Sequence, residues 1–466
     1  MSAFARALER LAAGEGGLPP LRALAASGQL GYGVPEAALA RGLSREPHLV
    51  GCDMGSIDVG PAYLGAGRMA TAPAVTRRDL RLVLTGARAR GLPLVIGSAG
   101  TAGGAPHLEA TVAMIREIAG EEGLSFRLAT IGAEIPHARV REAAERGELR
   151  PIGPMPPPSP ADLDSTPRIV GQMGTEAFLR AMDAEPDVIV AGRACDTSVF
   201  ACLPARLGYP MGPVMHMAKI IECTSICCAP GGRDAMLGTL EGESFVLESM
   251  NPDRHATPVS VAAHSLYEQA DPNSVSEPEG VLRLEDAWYD PLDAHRCRVG
   301  GARWIPAAQP SVKVEGAAPV GWRAVLMAGA ADPGFIARFE EITAAVAGAV
   351  REILPPGDPP WTLAFRAYGL GAVQGRADLS PPPREIGAMI ECVAPSAEEA
   401  KAVVSVAKQY LLHHGFEGRL STGGNIAFPF TPPEIEAGEA WRFTLYHVMP
   451  VDDLAALFPV EVEEIR

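Results

Sequence analysis

Between residues 48 and 230, short apolar runs that end in glycine alternate with amphipathic stretches of helical period, and this alternation restricts the fold more than any other feature. HLVGCDMG at 48–55, LPLVIGS at 92–98, LSFRLATIGAE at 124–134 and EPDVIVAGRACDT at 185–197 read as buried strands running into polar loops. DLRLVLTGARARG, HLEATVAMIREIAGEEGL and HARVREAAERGEL read as the helices between them. A parallel neighbour can be reached only by a long connection that packs on the sheet face, so the expected fold is α/β, a mostly parallel sheet with helices on both faces. In such sheets ligands sit beyond the carboxyl ends of the strands.

A chain of 466 residues exceeds one ordinary core, and three domains are expected: 1–235 α/β, 236–310 a strand-rich insert, and 311–466 α+β. The segment before residue 48 reads as an Ala-rich helical opening. ESFVLES and GVLRLEDAWYD mark the insert, in which no helix is expected. From SVKVEGAAPVGWRAVLMAG onward the pattern predicts a strand, a helix over 332–353, strands at 361–368 and 386–394, a helix at 397–413 and a closing strand in WRFTLYHVM.

Forty Lys and Arg against 56 Asp and Glu leave a formal charge of −16, which excludes nucleic acid and an anionic membrane surface as main partners. The opening MSAFARALERLAAGEGG has no uninterrupted apolar core of the secretory kind, and no apolar run reaches membrane-spanning length. The expected compartment is the cytoplasm. Eight cysteines in so long a chain are too sparse for a disulfide scaffold, and C-x3-C-C at 223–228 lacks the second pair of a structural zinc site, so buried reduced thiols are expected.

Chemistry is expected in the loops. CDMGSIDVGP places Asp53, Ser56 and Asp58 among glycines, where carboxylates can converge or, in the plainer reading, cap a helix. GSAGTAGGAPH offers Ser98, Gly100 and Thr101 with backbone amides able to cradle an anion, although it is neither a dinucleotide fingerprint nor a Walker loop; the alternative is a tight turn. AGRACDTSVF supplies Arg193 to clamp a carboxylate, with Asp196 and Thr197 at a helix start, or else an Arg193–Asp196 pair that only holds the loop. VMHMAKIIECTSICC spaces His216, Lys219 and Glu222 by three residues, so they can share one helix face, His216 being a general base or a satisfied core histidine. APGGRDAMLG adds Arg233 in a turn, and LSTGGNIAF adds Ser421, Thr422 and Asn425.

Asp53, Asp196 and His216 are thus the catalytic candidates, with Ser56, Asp58, Ser98, Gly100, Thr101, Arg193, Thr197 and Asn425 binding substrate. No metal site and no cofactor is required; the alternative is a hard divalent cation held by the scattered Asp53, Asp58, Asp196, His216 and Glu222. No serine-hydrolase elbow, zincin motif or calcium loop is present.

HLVGCDMGSIDVGP, LPLVIGSAGTAGG, DVIVAGRACDTSVF, MAKIIECTSICCAPGGRDAMLG, KVEGAAPVGWRAVLMAGAADPGFI, STGGNIAFPF and FTLYHVMPVDDLAALFP, in this order, resemble the acyclic terpene utilisation family of the AtuA type. The resemblance implies a place in bacterial catabolism of branched or terpenoid-derived acids, beside acyl-CoA carboxylation, hydration and lyase steps. The residues and the resemblance together lead us to expect an acid–base lyase or hydratase acting on a small carboxylate or acyl-CoA. A hydrolase of an amide, lactone or thioester, and a non-catalytic acyl-binding subunit, stand as the alternatives. A homo-oligomer is expected. The resemblance also suggests a small companion subunit, since some relatives carry an extra C-terminal domain.

Overall fold

The computed structural model describes all residues except 13–16, 57–58, 268–269, 376–379 and 420–422, and the side chain of residue 455. Two compact units divide the chain: Met1–Ala317 with Phe443–Arg466, and Ala318–Arg442.

The first unit is built on a ten-stranded sheet. Its centre is parallel, in the spatial order Leu21–Ser27, Leu49–Asp53, Leu94–Gly97, Val188–Ala191 and Phe126–Ile131. These strands are apolar on both faces because both faces are covered. Leu39, Leu80, Val83, Val112 and Ile115, from the helices Glu36–Ser44, Pro73–Arg88 and Ala105–Glu122, pack in the core on one side. Phe178, Val199, Phe200 and Val214, from Thr175–Met182, Asp196–Arg206 and Met211–Ile221, fill the other. The expected parallel α/β architecture is therefore present, and among the described residues no helix is long and apolar enough to cross a membrane.

Spatial order follows chain order up to Leu94–Gly97, but the next strand in the chain, Phe126–Ile131, leaves a place that Val188–Ala191 fills. Loops after neighbouring strands can diverge around such a break, and there open sheets form their clefts.

Three readings of the first unit need correction. The Ala-rich opening is not wholly helical: after Ala3–Arg10, LRALAAS forms a sheet strand, held between Leu49–Asp53 on one side and antiparallel Met236–Glu241 on the other. Pairing on both edges overrides the helical preference of alanine. Residues 236–310 do hold many strands, but Met236–Glu241, Ser244–Ser249, Arg296–Gly300 and Trp288–Pro291 extend the large sheet in antiparallel fashion, within the first unit. A helix, Pro258–Ser265, also lies there, started by a capping box between Thr257 and Ser260.

In the second unit, Thr362–Tyr368, Ile386–Ala394 and residues 322–330 of the long strand Ser311–Ala330 pair antiparallel. Ala324, Leu326, Ala388 and Ile390 turn one face of these strands onto Val346, Val350, Val403 and Val404 of the helices Phe339–Ile353 and Ala397–His413. This is the expected α+β layering. The single helix expected over 332–353 is two, Pro333–Ala337 and Phe339–Ile353, with Arg338 between them in a non-helical conformation.

Candidate functional site

A cleft of about 550 Å³ lies where the loops after Leu21–Ser27, Leu49–Asp53 and Val188–Ala191 meet the end of the helix Met211–Ile221. Asp53, Ser56, Arg193 and Asp196 line it, as expected from the loop motifs, together with Gln29, Gln172, Glu222, Cys223, Arg233 and Lys313. Its volume suits a small molecule.

Asp53 ends its strand and is 2% exposed. Its Oδ2 accepts a hydrogen bond from the Gly55 amide at 2.8 Å, which closes a local turn rather than capping a helix. The Oδ1 has no hydrogen-bond partner among the described residues. Asp196 sits in the first turn of the helix Asp196–Arg206, whose N-cap is Cys195, and its Oδ1 likewise lacks a partner, as does Nε2 of Gln29. Buried polar atoms are almost always paired, so three orphans lining one cleft mark where a ligand's polar groups belong.

Glu222 completes the acid side, at the C-terminal cap of Met211–Ile221. It lines the cleft with Asp196, and Lys219 Nζ donates to it at 2.5 Å. Burial pushes Glu222 above the usual carboxylate range; Lys219 pulls it back and Asp196 adds to the rise. Asp53 is also raised, by burial first and then by the charge of Asp196, with Arg193 opposing. The site therefore stores protons on carboxyl groups.

Arg193 does not have its guanidinium free for a substrate. It is 4% exposed, and its Nε and Nη2 donate to the two oxygens of Glu315 at 3.0 and 3.3 Å. Lys313 Nζ holds the same carboxylate at 2.9 Å. Burial alone would raise Glu315, but the two cations overcome it and hold this carboxyl down at about 2. The remaining Nη1 reaches Ser98 Oγ at 3.4 Å, and the pairing with Asp196 considered from sequence is replaced by this Arg193–Glu315 fork.

The 97–104 loop is a brace. The amides of Ser98, Ala99, Thr101 and Gly103 donate to Gly192, Ala191, Ser98 and Ala99 carbonyls, so they are spent inside the protein. Gly103 has φ +67°, and a Cβ there would lie 2.0 Å from the Arg193 backbone nitrogen. Gly100 and Thr101 also hold positive φ, Gly100 against His107. Ser98 Oγ accepts from the Ala194 amide at 3.1 Å and donates to the Ala194 carbonyl at 3.2 Å. The tight-turn alternative accounts for this loop, and its residues position Arg193. Ser98→Ala is accordingly expected to cost about 1–3 kcal/mol of stability through the unsatisfied Ala194 amide. Ligand binding should change only a few-fold, which urea unfolding and calorimetry would check side by side.

Other expected site residues are not among those that line the cleft. His216 is fully buried, shares a 2.6 Å hydrogen bond with Ser265 Oγ and packs edge-on against Phe245 and Tyr289; burial pushes its imidazole down to about 3. It is a core histidine, its Nε2 paired and its Nδ1 without a partner among the described residues, because Met211–Ile221 is apolar nearly all round and buries its middle. Thr197 donates to Glu277 at 2.8 Å. In the second unit, Asn425 Nδ2 donates to the carbonyls of Leu411 and His414 and closes the end of Ala397–His413. Asp58, Ser421 and Thr422 lie outside the described residues. Among the described residues no three His, Cys, Asp or Glu side chains are arranged to hold a metal ion.

The sequence gives no local signal for Glu315 and Lys313, which alternate along a strand far from the loops they serve. Gln29 follows a strand that reads as helix.

No curated protein and no solved structure matches the chain. A family model described as "Acyclic terpene utilisation family protein AtuA" matches residues 74–229 and 239–430. These spans take in Arg193, Asp196, Glu222 and Glu315 and cover well over half of the sequence, so the chain belongs to the acyclic terpene utilisation family.

Proposed function

We propose that this protein is a lyase of the hydratase–dehydratase type, adding water to or removing it from a small hydroxy acid or its acyl thioester. One observation carries the reading: Asp53, Asp196 and Glu222 line one small-molecule cleft, and among the described residues the buried Oδ1 atoms of both aspartates have no partner. Reversible loss of water needs an acid for the departing hydroxyl and a base for the carbon-bound proton, and Asp53, raised by its burial, keeps the proton that the acid must give.

In the dehydrating direction Asp196 takes a proton from the carbon beside the substrate's carboxyl or thioester carbonyl. Asp53 gives its proton to the hydroxyl, which leaves as water while the double bond forms. Over one turnover the proton gained by Asp196 equals the one given by Asp53, and exchange with water in the open cleft returns both carboxyls to their starting states. Arg193 and Lys313, held in place by Glu315, supply the positive field that favours the enolate-like charge.

Mass spectrometry of the purified protein mixed with hydroxy acids, unsaturated acids and their CoA esters tests this. A gain or loss of one water on a panel member is expected. Retention of a ligand with no mass change on any member would refute the hydratase reading and favour a non-catalytic acyl-binding subunit.

A further inference from the structure

The cations of the cleft divide into those already satisfied and those able to receive a ligand. Arg193 spends Nε and Nη2 on Glu315 and is nearly inaccessible. Lys219 is committed to Glu222. Lys313 differs, because an ammonium group carries three donors and the Glu315 oxygen at 2.9 Å takes one of them. Its Nζ also lies 5.2 Å from the centroid of the Tyr446 ring, which leaves hydrogen-bonding directions open. Arg233 is exposed and stacks on Tyr32 at 5.6 Å, and among the described residues it has no carboxylate partner. Stacking holds a guanidinium plane without consuming its N–H groups.

The charge count around the cleft points the same way. Arg193, Arg233 and Lys313 line it with Asp53, Asp196 and Glu222, while behind the lining Glu315 pairs with Arg193 and Lys313, and Lys219 pairs with Glu222. Each carboxyl that holds a proton leaves a positive excess, which an anionic ligand balances.

We propose that the cleft selects a small acid as its free anion, the carboxylate being received by Lys313 and Arg233 rather than by Arg193. This assignment rests on the small-hydroxy-acid reading above but concerns binding, not turnover. The same donors would accept a phosphate, so the probes must separate the two. The cleft volume favours the short acid.

The experiment is calorimetric titration with paired short hydroxy acids and their amides, beginning with 3-hydroxybutanoate and 3-hydroxybutanamide, and with inorganic phosphate, against wild type, Arg233→Met and Lys313→Met. Wild type should prefer acid over amide by about tenfold or more, as expected for a hydrogen bond to a charged group. Each variant should weaken acid binding while leaving amide binding within about twofold, so that the ratio collapses towards one. The Arg233 variant, altered at an exposed position, guards against loss of folding in the Lys313 variant. Equal binding of acid and amide, an unchanged ratio in both variants, no binding by any acid, or phosphate binding tighter than every acid would overturn the proposal. Acid selectivity with no water gained or lost would uphold it and sink the hydratase reading instead.

Discussion

Asp53→Asn is expected to lower turnover by about 10²–10⁴-fold, the usual worth of a positioned proton donor, while the folded protein persists. The amide oxygen of asparagine can still accept from the Gly55 amide, so the turn survives and only the dissociable proton is lost. The same change should not destabilise the protein near neutral pH. For a carboxyl whose folded pKa is raised, the unfolded chain ionises first, so stability falls as pH rises from the ordinary value of 3.8 up to the raised one and is flat above it. Asparagine removes that penalty. Thermal melts at acidic and neutral pH would show a smaller loss of stability with rising pH in the variant than in wild type. Full turnover by Asp53→Asn would remove Asp53 from the chemistry.

The second large effect falls on stability. Glu315→Ala should cost about 3–5 kcal/mol, because a buried ion pair broken on one side strands its partner, and here Arg193 is stranded and Lys313 loses its anchor. Glu315 is 1% exposed, so water cannot readily take its place. The pH dependence has the opposite sign from that of Asp53. A depressed carboxyl contributes its full stability above the ordinary value of 4.5 and loses it as pH falls towards about 2. Urea unfolding at neutral pH and again near pH 3 should show the difference between wild type and variant shrinking in acid. A cost below about 1 kcal/mol at neutral pH would mean that the Arg193–Glu315–Lys313 set is not the support assigned to it.

Much of the architecture was legible because periodicity is local. The strands Leu49–Asp53, Leu94–Gly97, Phe126–Ile131 and Val188–Ala191 each announce themselves as an apolar run closed by glycine or a polar residue, and their alternation with helices dictates a parallel sheet. The strand Leu21–Ser27 was not legible, since an Ala-rich run reveals its state only through the neighbours that pair with it. The cleft divides along the same line. Asp53, Ser56, Arg193 and Asp196 were found because strand-end loops in an open α/β sheet converge by topology. Glu315 was not, since the guanidinium that looked available for a substrate carboxylate is satisfied by a carboxylate more than a hundred residues later. His216, Lys219 and Glu222 step by three residues, yet the two ends of that series turn away from each other round the helix: the first meets Ser265 and the second lines the cleft. The amides of Ser98, Ala99, Thr101 and Gly103 look free in sequence and are spent in the fold, because the partners that consume them include the carbonyls of Ala191 and Gly192. Spacing proposes which side chains can meet; it cannot say whether a partner from elsewhere has already met them.

Deuterium incorporation tests the central claim most directly. The protein would be incubated in D2O with the hydroxy and unsaturated acids and their CoA esters, and each recovered acid or ester weighed by mass spectrometry, for wild type and Asp53→Asn in parallel. The account predicts water gained or lost and one deuterium fixed on carbon in at least one panel member with wild type, and a rate at least about a hundredfold lower with the variant. Wild type that fixes no deuterium on any member, or a variant that fixes it equally fast, would contradict it.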